Sequence, residues 1–287
     1  MRRASMILKD AEEIGTVEDL TGVFESIAST MVAKKRSRVE LSKEFFHLLW
    51  TLYTSIRIDP KTRITERTTS KKLNKNAFVI ISAEAGLSGD IDERLIETML
   101  QDFDSKTTDI IVLGNHGATQ LRQNRIPFVR YFSVPSSESY IDVSPVIEAI
   151  SHYNHTTVYY EEYISLGVQG IKKLDLISSI RAMTKDLIPG VEVMTTQDTI
   201  FEPSLDEIAD LIESVMMTLA FSQAILESSL AQDASRFNAM ASAKKRAWDL
   251  YNYFKLDYYR AKRSEADRRS REIMVTLKRK RRKAAGL

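Results

Sequence analysis

The chain has 287 residues, of which 43% are apolar and 28% charged, a balance that excludes global disorder. It contains no cysteine, so disulfides, thiolate metal sites and cysteine nucleophiles are all excluded. The formal net charge is only +2, and ten glycines and six prolines are few for this length, which favours long uninterrupted helices.

The first element in chain order is a helix with the periodicity of a coiled coil. Its apolar residues recur at alternating spacings of three and four, as they do along the seam between two paired helices. Thr16 precedes this pattern and is predicted to cap the helix. The pattern fades near Pro60, so we assign residues 1–59 to an N-terminal coiled-coil helix and residues 60–76 to a linker. The predicted seam positions are Val17, Leu20, Phe24, Ile27 and Met31.

Residues 77–200 show a different pattern, in which short apolar runs alternate with helical segments. Continuous apolar runs at residues 77–82 and 108–113 are typical of buried strands. Because strands alternate with helices, we predict a Rossmann-like domain with a mostly parallel sheet flanked by helices. Further strands are predicted at residues 127–134, 156–163 and 191–196, and helices at residues 92–103, 118–125 and 143–153.

The last element is a second long helix. No glycine or proline interrupts residues 204–285, and a continuous helix of that span would be roughly 120 Å long. Such a helix cannot be buried within a domain of this size, so we predict that it pairs with the N-terminal helix. We assign residues 201–287 to a C-terminal coiled-coil helix with a basic tail. The predicted seam positions on this helix are Phe237, Ala241, Trp248, Tyr251 and Tyr258.

The predicted fold class is therefore α/β, with a long antiparallel coiled coil of the two terminal helices around an inserted α/β domain. The charge distribution agrees with that pairing. Residues 10–25 contain six acidic residues and no basic one, whereas residues 260–287 contain twelve basic and three acidic residues. Opposite charge favours contact between the two ends of the chain.

The sequence lacks the patterns of the common catalytic and ligand sites. Residues 114–119 lack the lysine and the glycine spacing of a phosphate-binding loop. His152 and His155 stand three residues apart, but no further ligand is grouped with them as a metal site requires. Residues 86–89 lack the glycine–any–serine–any–glycine elbow of a nucleophile. We expect this chain to have no catalytic site and to bind neither a cofactor nor a metal.

Several segments, in order along nearly the whole chain, resemble the gamma subunit of F-type ATP synthases. Residues 27–36 end the N-terminal repeat in a small, basic segment, as that family does. Gly86-Leu87-Ser88-Gly89 follows the first sheet strand, where the family has glycine–leucine–cysteine–glycine. Phe201-Glu202-Pro203-Ser204 matches the aromatic–Glu–Pro–Ser segment before the last helix, and Glu227-Ser228 matches a pair within that helix. Glu18-Asp19-Leu20 is closer to the sodium-associated branch of the family.

The resemblance implies a rotating central-stalk subunit with no catalytic site of its own. It would couple ion flow through a membrane ring to ATP synthesis or hydrolysis in a hexamer of alpha and beta subunits. The implied partners are the alpha and beta subunits, an epsilon-type subunit and the membrane c-ring. The complex, not this chain, would use ATP, ADP and Mg²⁺. The implied location is the cytoplasmic face of the cell membrane, as a peripheral membrane protein.

The resemblance also implies roles for two groups of residues. Lys262 and Arg263 stand where the family has an arginine–glutamine pair that contacts a beta subunit. Gly86, Leu87, Ser88 and Gly89 would form a loop at the rotor foot. The basic run at residues 278–283 departs from the family, whose last turns are more apolar. The alternative function is therefore a gamma-like scaffold or adaptor whose basic tail binds an acidic partner or nucleic acid.

Overall fold

A computed structural model describes residues 3–55, 75–134, 142–153, 155–175 and 205–284. The predicted linker, except for its last two residues, and the strand predicted at residues 191–196 lie outside these ranges. The chain divides into two units. The first consists of Met1–Ile27 and Ala239–Leu287, and the second of Ala28–Asn238.

The described elements are five helices and five strands. In chain order they are α1 (Ala4–Ser55), β1 (Asn76–Ile81), α2 (Ile91–Asp102), β2 (Thr108–Leu113), α3 (Asn115–Gln123), β3 (Arg130–Phe132), α4 (Ser144–Ser151), β4 (Thr156–Tyr163), β5 (Gln169–Asp175) and α5 (Leu205–Ala284).

The first unit is a pair of antiparallel helix segments. Near the start of α1, the backbone N–H of Ala4 donates to Glu265 Oε1 of α5 at 3.1 Å. Further along α1, Glu25 forms an ion pair with Lys244 of α5. As the residue number increases along α1, the number of its partner on α5 decreases. This confirms the predicted antiparallel pairing of the terminal helices.

The start of α1 differs from the sequence-based prediction. The helix begins at Ala4, so Thr16 lies in its interior and the predicted cap is wrong. Thr16 Oγ1 instead donates to the carbonyl oxygen of Glu12, 3.1 Å away and one turn earlier. Threonine satisfies its hydroxyl this way inside helices, so a threonine before an apolar repeat does not by itself mark a helix start.

The second unit contains a five-stranded sheet in the order β3-β2-β1-β4-β5. The pairs β2–β3, β1–β2 and β1–β4 are parallel, which confirms the predicted mostly parallel sheet. The edge strand β5 pairs antiparallel with β4 and was not predicted. Its residues are polar in part and none is fully buried, so it lacks the continuous apolar run that identifies the central strands.

Both faces of the sheet are covered, which explains the continuous apolar runs within β1 and β2. On one face, strand residues including Val79 and Val158 pack with α4 and with Phe221 of α5. On the other, residues including Ile80 and Tyr159 pack with α2 and α3. Successive strand residues point to opposite faces, so adjacent residues such as Val79 and Ile80 belong to different cores.

The second unit also holds part of the helix pair. Val32 and Val39 of α1 are buried against Leu230 and Ala234 of α5. Lys35 of α1 donates to Ser229 Oγ at 2.6 Å and also pairs with Asp233. None of the helices that the structure describes carries an apolar stretch long enough to cross a membrane.

Candidate functional site

The face of α1 that packs on α5 does not coincide with the predicted seam. In the first unit, Ala4, Ile7 and Ala11 are buried, and Gly15 and Gly22 lie against side chains of α5. We call these five residues the contact face of α1. Apart from Ile7, these residues are alanine or glycine, whereas the residues of the predicted seam are large.

The predicted seam residues of α1 in the first unit form an exposed stripe. Val17, Leu20, Phe24 and Ile27 are 40–53% exposed, so they do not form the contact with α5 and the prediction is corrected here. We call these four residues the outer stripe. Met31 lies in the second unit and is half-buried. A contiguous row of large apolar side chains on a surface marks an interaction site.

Four of the five predicted seam residues of α5 are partly covered in the structure, and one is exposed. Phe237, Ala241, Tyr251 and Tyr258 are half-buried, whereas Trp248 is 54% exposed. The ring of Tyr251 faces Gly15, where an added Cβ would lie 3.6 Å from Cε2. Small residues on α1 therefore accommodate aromatic side chains on α5.

Lys262 and Arg263 are both exposed near the end of α5. The Nζ of Lys262 lies 5.7 Å from the centre of the Tyr258 ring, which is a cation–π distance. The helix continues to Ala284, and each residue from Ala266 to Arg281 is exposed. The structure thus presents this basic segment as a helix, with its charged groups accessible to a partner.

The loop Gly86–Gly89 is held in place by hydrogen bonds of Ser88 and exposes one apolar side chain. Leu87 has φ of 70°, a left-handed conformation that costs energy for leucine, and its side chain is 57% exposed. Ser88 is buried, and its Oγ donates to Asp92 Oδ2 at 2.9 Å. Ser235 Oγ of α5 donates to the carbonyl oxygen of Ser88. These hydrogen bonds fix the loop on both sides of the exposed Leu87 side chain.

Asp92 organises the carboxyl edge of the sheet next to this loop. Its Oδ1 accepts the backbone N–H of Ala83 at 2.8 Å, and its Oδ2 lies 2.8 Å from His116 Nδ1. Asp92 is fully buried, and His116 is partly exposed. Asp92 is the second residue of α2, where an acidic residue is common, so sequence reasoning did not identify this cluster.

Ser82 fills the space between the ends of β1 and β2. Its Oγ donates to the carbonyl oxygen of Leu113 at 2.8 Å and accepts the N–H of Gly117 at 3.1 Å. At Gly114, φ is 96° and an added Cβ would lie 2.2 Å from the carbonyl oxygen of Ser82. The glycines of residues 114–117 are therefore required by close packing against Ser82.

His152 and His155, which the sequence did not favour as a metal pair, are both exposed. Within the described ranges, no three histidine or acidic side chains are grouped as a metal site. Sequence reasoning also missed Glu161 of β4, which is fully buried and whose carboxyl group bonds to Ser228 of α5 at 2.9 Å. Its position in the run of strand residues 156–163 gave no indication of its burial.

Comparison with known sequences identifies a family. A family model described as "ATP synthase" matches residues 7–273. The "ATP synthase gamma chain" of Mycoplasmoides gallisepticum is 22% identical over 275 residues, covering 92% of this chain and 95% of that protein. The "ATP synthase gamma chain" of Clostridium novyi is 21% identical, with 93% and 95% covered.

Comparison with solved structures identifies the same architecture. A chain of the Euglena gracilis mitochondrial ATP synthase rotor superimposes with a TM-score of 0.66 at 12% identity, covering 92% of this chain and 98% of that one. A chain of the Tetrahymena thermophila central stalk and c-ring gives a TM-score of 0.56 at 18% identity, with 78% and 99% covered. At these identities the likeness concerns the fold alone.

Proposed function

Since this chain belongs to the ATP synthase family, we propose that it is the rotating central-stalk subunit of an F-type ATP synthase. In this role it couples ion flow through a membrane ring to ATP synthesis or hydrolysis in a hexamer of alpha and beta subunits. The observation that carries the proposal is the outer stripe, whose large apolar side chains face away from α5 while small residues make the helix contact.

The physical argument is that different faces of the shaft make different contacts with its neighbours. A shaft that presents different side chains around its circumference favours different conformations in otherwise identical neighbouring subunits. In the first unit, α1 contributes the apolar outer stripe, whereas α5 contributes exposed cations such as Lys262 and Arg263. An asymmetric surface of this kind suits contact with several subunits in turn, and apolar area gives it affinity.

We further propose that the chain is not itself catalytic and binds no nucleotide. The alpha and beta subunits would hold ATP, ADP and Mg²⁺. The α/β domain would meet an epsilon-type subunit and the c-ring, with the anchored loop Gly86–Gly89 among its contacts. The location that follows is the cytoplasmic face of the cell membrane, reached only through the complex.

Co-expression with the alpha and beta subunits of the same source tests this proposal. We expect one complex on size exclusion, with ATP hydrolysis that depends on the presence of this chain. The purified chain alone should hydrolyse no ATP above the background of a mock preparation. Failure to associate with alpha and beta subunits at micromolar concentrations, in the presence of nucleotide, contradicts the rotor function.

A further inference from the structure

The end of α5 extends beyond the helix pair as a single helix. Ala4, at the start of α1, meets Glu265 of α5, and α5 then continues to Ala284. At 1.5 Å per residue, these last turns reach roughly 28 Å past that contact. We call residues 266–284 the terminal segment. Each of its residues up to Arg281 is exposed, so the described part of the chain leaves this segment open to a partner.

The charge of the terminal segment is strongly positive and mostly unbalanced. It contains nine basic and two acidic residues. Arg268 pairs with Glu272 at 3.5 Å, one turn away on the same helix. Residues 273–287 contain no acidic residue, although six consecutive cations occupy residues 278–283. The helix dipole favours cations in the last turn, but this effect does not reach the first cations of the run. Neighbouring like charges repel, so the run favours a partner with negative groups.

Neither the apolar nor the charged side chains of this segment are confined to one side of the helix. Ile273, Met274 and Val275 are consecutive and are 59%, 64% and 51% exposed. Consecutive residues of an α-helix lie about 100° apart around its axis, so these three side chains project in different directions. Residues 278–281 are four exposed cations in a row and therefore cover a full turn.

A partner that meets a helix from every side must enclose it. A lipid bilayer contacts one side only and requires the apolar residues to be segregated there. A nucleic acid offers phosphates to the cations but leaves an apolar band of this size in water. A shallow depression on the segment is lined by Ile273 and Leu277 together with Arg269 and Lys280. Apolar and cationic groups side by side suit a protein wall, which can supply both apolar and acidic side chains.

We propose that the terminal segment lies in a sleeve formed by the alpha and beta subunits, with an inner wall that is apolar around residues 273–277 and lined with carboxylates around residues 278–281. This inference rests on the proposed function, because it takes the hexamer as the partner. A wall that is apolar throughout would leave the four cations desolvated and unpaired, which is costly, so carboxylates are required beside them.

Cations on every side of the helix also suit rotation. As the shaft turns, a carboxylate of the wall leaves one cation and meets the next, about 100° further around the axis. The attraction therefore changes little with the angle of the shaft. It centres the end of the shaft without favouring one rotational position, whereas the outer stripe lies on one side and favours particular subunits.

Binding of the full-length chain to alpha and beta subunits, measured over a range of salt concentrations, tests the sleeve. The double change Lys280→Gln and Arg281→Gln removes two exposed cations, and glutamine has a high helix propensity. It should weaken binding roughly fivefold at low salt, because two charge pairs are lost. Near 1 M salt, where the Debye length is about 3 Å, variant and wild type should bind equally. The matched control is Lys245→Gln with Arg246→Gln, the same two residue types exposed elsewhere on α5, which should bind like the wild type at all salt concentrations.

Zero-length cross-linking with a carbodiimide locates the carboxylates. This reagent joins a lysine amine to a carboxyl group that is already in contact with it. The wild-type complex should therefore yield peptides that join Lys278 or Lys280 to an aspartate or glutamate of an alpha or beta subunit. The double change Lys278→Arg and Lys280→Arg keeps the positive charge but removes the amines. It should bind like the wild type and lose these cross-links.

The possible outcomes separate the sleeve from the proposed function. If the wild-type chain does not bind alpha and beta subunits, both are wrong. If the complex forms but these lysines give no cross-link to it, or if the two glutamine double variants bind equally, the sleeve alone is wrong. The sleeve is also wrong if Lys280→Gln with Arg281→Gln abolishes binding to a duplex oligonucleotide or to phosphatidylserine vesicles but leaves binding to the hexamer unchanged. The partner is then a nucleic acid or a membrane.

Discussion

Lys244 of α5 reaches Glu25 of α1, with 3.0 Å between Nζ and Oε2. The stem of the same lysine lies against Gly22, where an added Cβ would be 3.5 Å from Cε. The two charged side chains are 45% and 24% exposed, so this ion pair contributes less than about 1 kcal/mol. The close approach of the helices, permitted by small residues, therefore matters more to their pairing than the charges.

Gly15 provides the first test of this close approach. An added Cβ would meet the Tyr251 ring at 3.6 Å, which is ordinary contact, and alanine is favoured over glycine inside a helix. Gly15→Ala should therefore stabilise the chain by about 0.5–1 kcal/mol, measured by urea unfolding followed by circular dichroism. Gly15→Leu should destabilise it, because the added branches meet the ring. Equal stability of both variants would show that the contact face is loosely packed.

The outer stripe should contribute to assembly rather than to the fold of this chain. Leu20 and Phe24 are 53% and 40% exposed, so the double change Leu20→Ser and Phe24→Ser should alter the free energy of unfolding by less than about 1 kcal/mol. Binding to the alpha and beta subunits should fall at least tenfold, since buried apolar area supplies much of an interface's affinity.

The matched control for this double variant is Leu41→Ser, which removes a 62% exposed leucine from the same helix outside the stripe. Quantitative co-purification at several concentrations gives the affinities. Unchanged association of the double variant would remove the outer stripe from the interface and would weaken the observation that carries the proposed function.

The terminal helices could be predicted from the sequence, but their contact face could not. Alternating spacings of three and four identified a paired helix, but the outer stripe that satisfies them is exposed, and the contact with α5 is made by other residues of α1. Apolar size favoured the stripe at Val17 and Leu20. The structure instead uses small residues such as Ala11 and Gly15 for the contact, because they allow the backbones to approach closely.

In the sheet, too, some strands could be predicted from the sequence and one could not. Strands β1 and β2 could be predicted because both of their faces are buried, which requires continuous apolar runs. Strand β4 was predicted as well, although its residues include Glu161 and Glu162. Strand β5 could not be predicted, because an edge strand keeps polar residues such as Lys172 and Lys173 exposed.

Among the glycines that the structure describes in the α/β domain, Gly114 should be one of the hardest to replace. Its φ of 96° disfavours any side chain, and an added Cβ would lie 2.2 Å from the carbonyl oxygen of Ser82. Gly114→Ala should cost more than about 2 kcal/mol of unfolding free energy, by backbone strain and steric overlap. The control is Gly167→Ala, where no atom lies within 4 Å of the added Cβ and little change is expected. Similar stability of the two variants would contradict this account of Gly114.

Lys262 and Arg263 should affect coupling without affecting the fold. Both are exposed, so reversing their charge with Lys262→Glu and Arg263→Glu should leave thermal unfolding nearly unchanged. If these cations pair with acidic groups of a beta subunit, coupled ATP synthesis should fall by roughly fivefold, at the lower end of typical coupling energies. Arg246→Glu changes another exposed cation of α5 and serves as the control. Synthesis at the wild-type rate would remove both residues from the coupling mechanism.

Asp102, the last residue of α2, bonds to Lys173 of β5, the strand that was not predicted. The pKa of Asp102 should therefore respond to a single substitution on β5. Lys173 Nζ of β5 lies 2.7 Å from Asp102 Oδ2, and Tyr159 Oη donates to the same oxygen at 2.8 Å. The hydrogen bond from Lys173, followed by that from Tyr159, lowers the pKa of Asp102 below its usual value. The small stability contribution of Asp102 is therefore present above the ordinary aspartate pKa and is lost as pH falls through the lowered one.

Lys173→Met should raise the pKa of Asp102 back toward the ordinary value, because it removes the strongest hydrogen bond to the carboxylate. The carboxyl carbon of Asp102, followed by NMR during an acid titration, reports this pKa directly. Lys172→Met is the matched control, since Lys172 pairs with Glu162 at 2.9 Å and not with Asp102. If both variants titrate like the wild type at Asp102, the contact between β5 and α2 does not persist in solution.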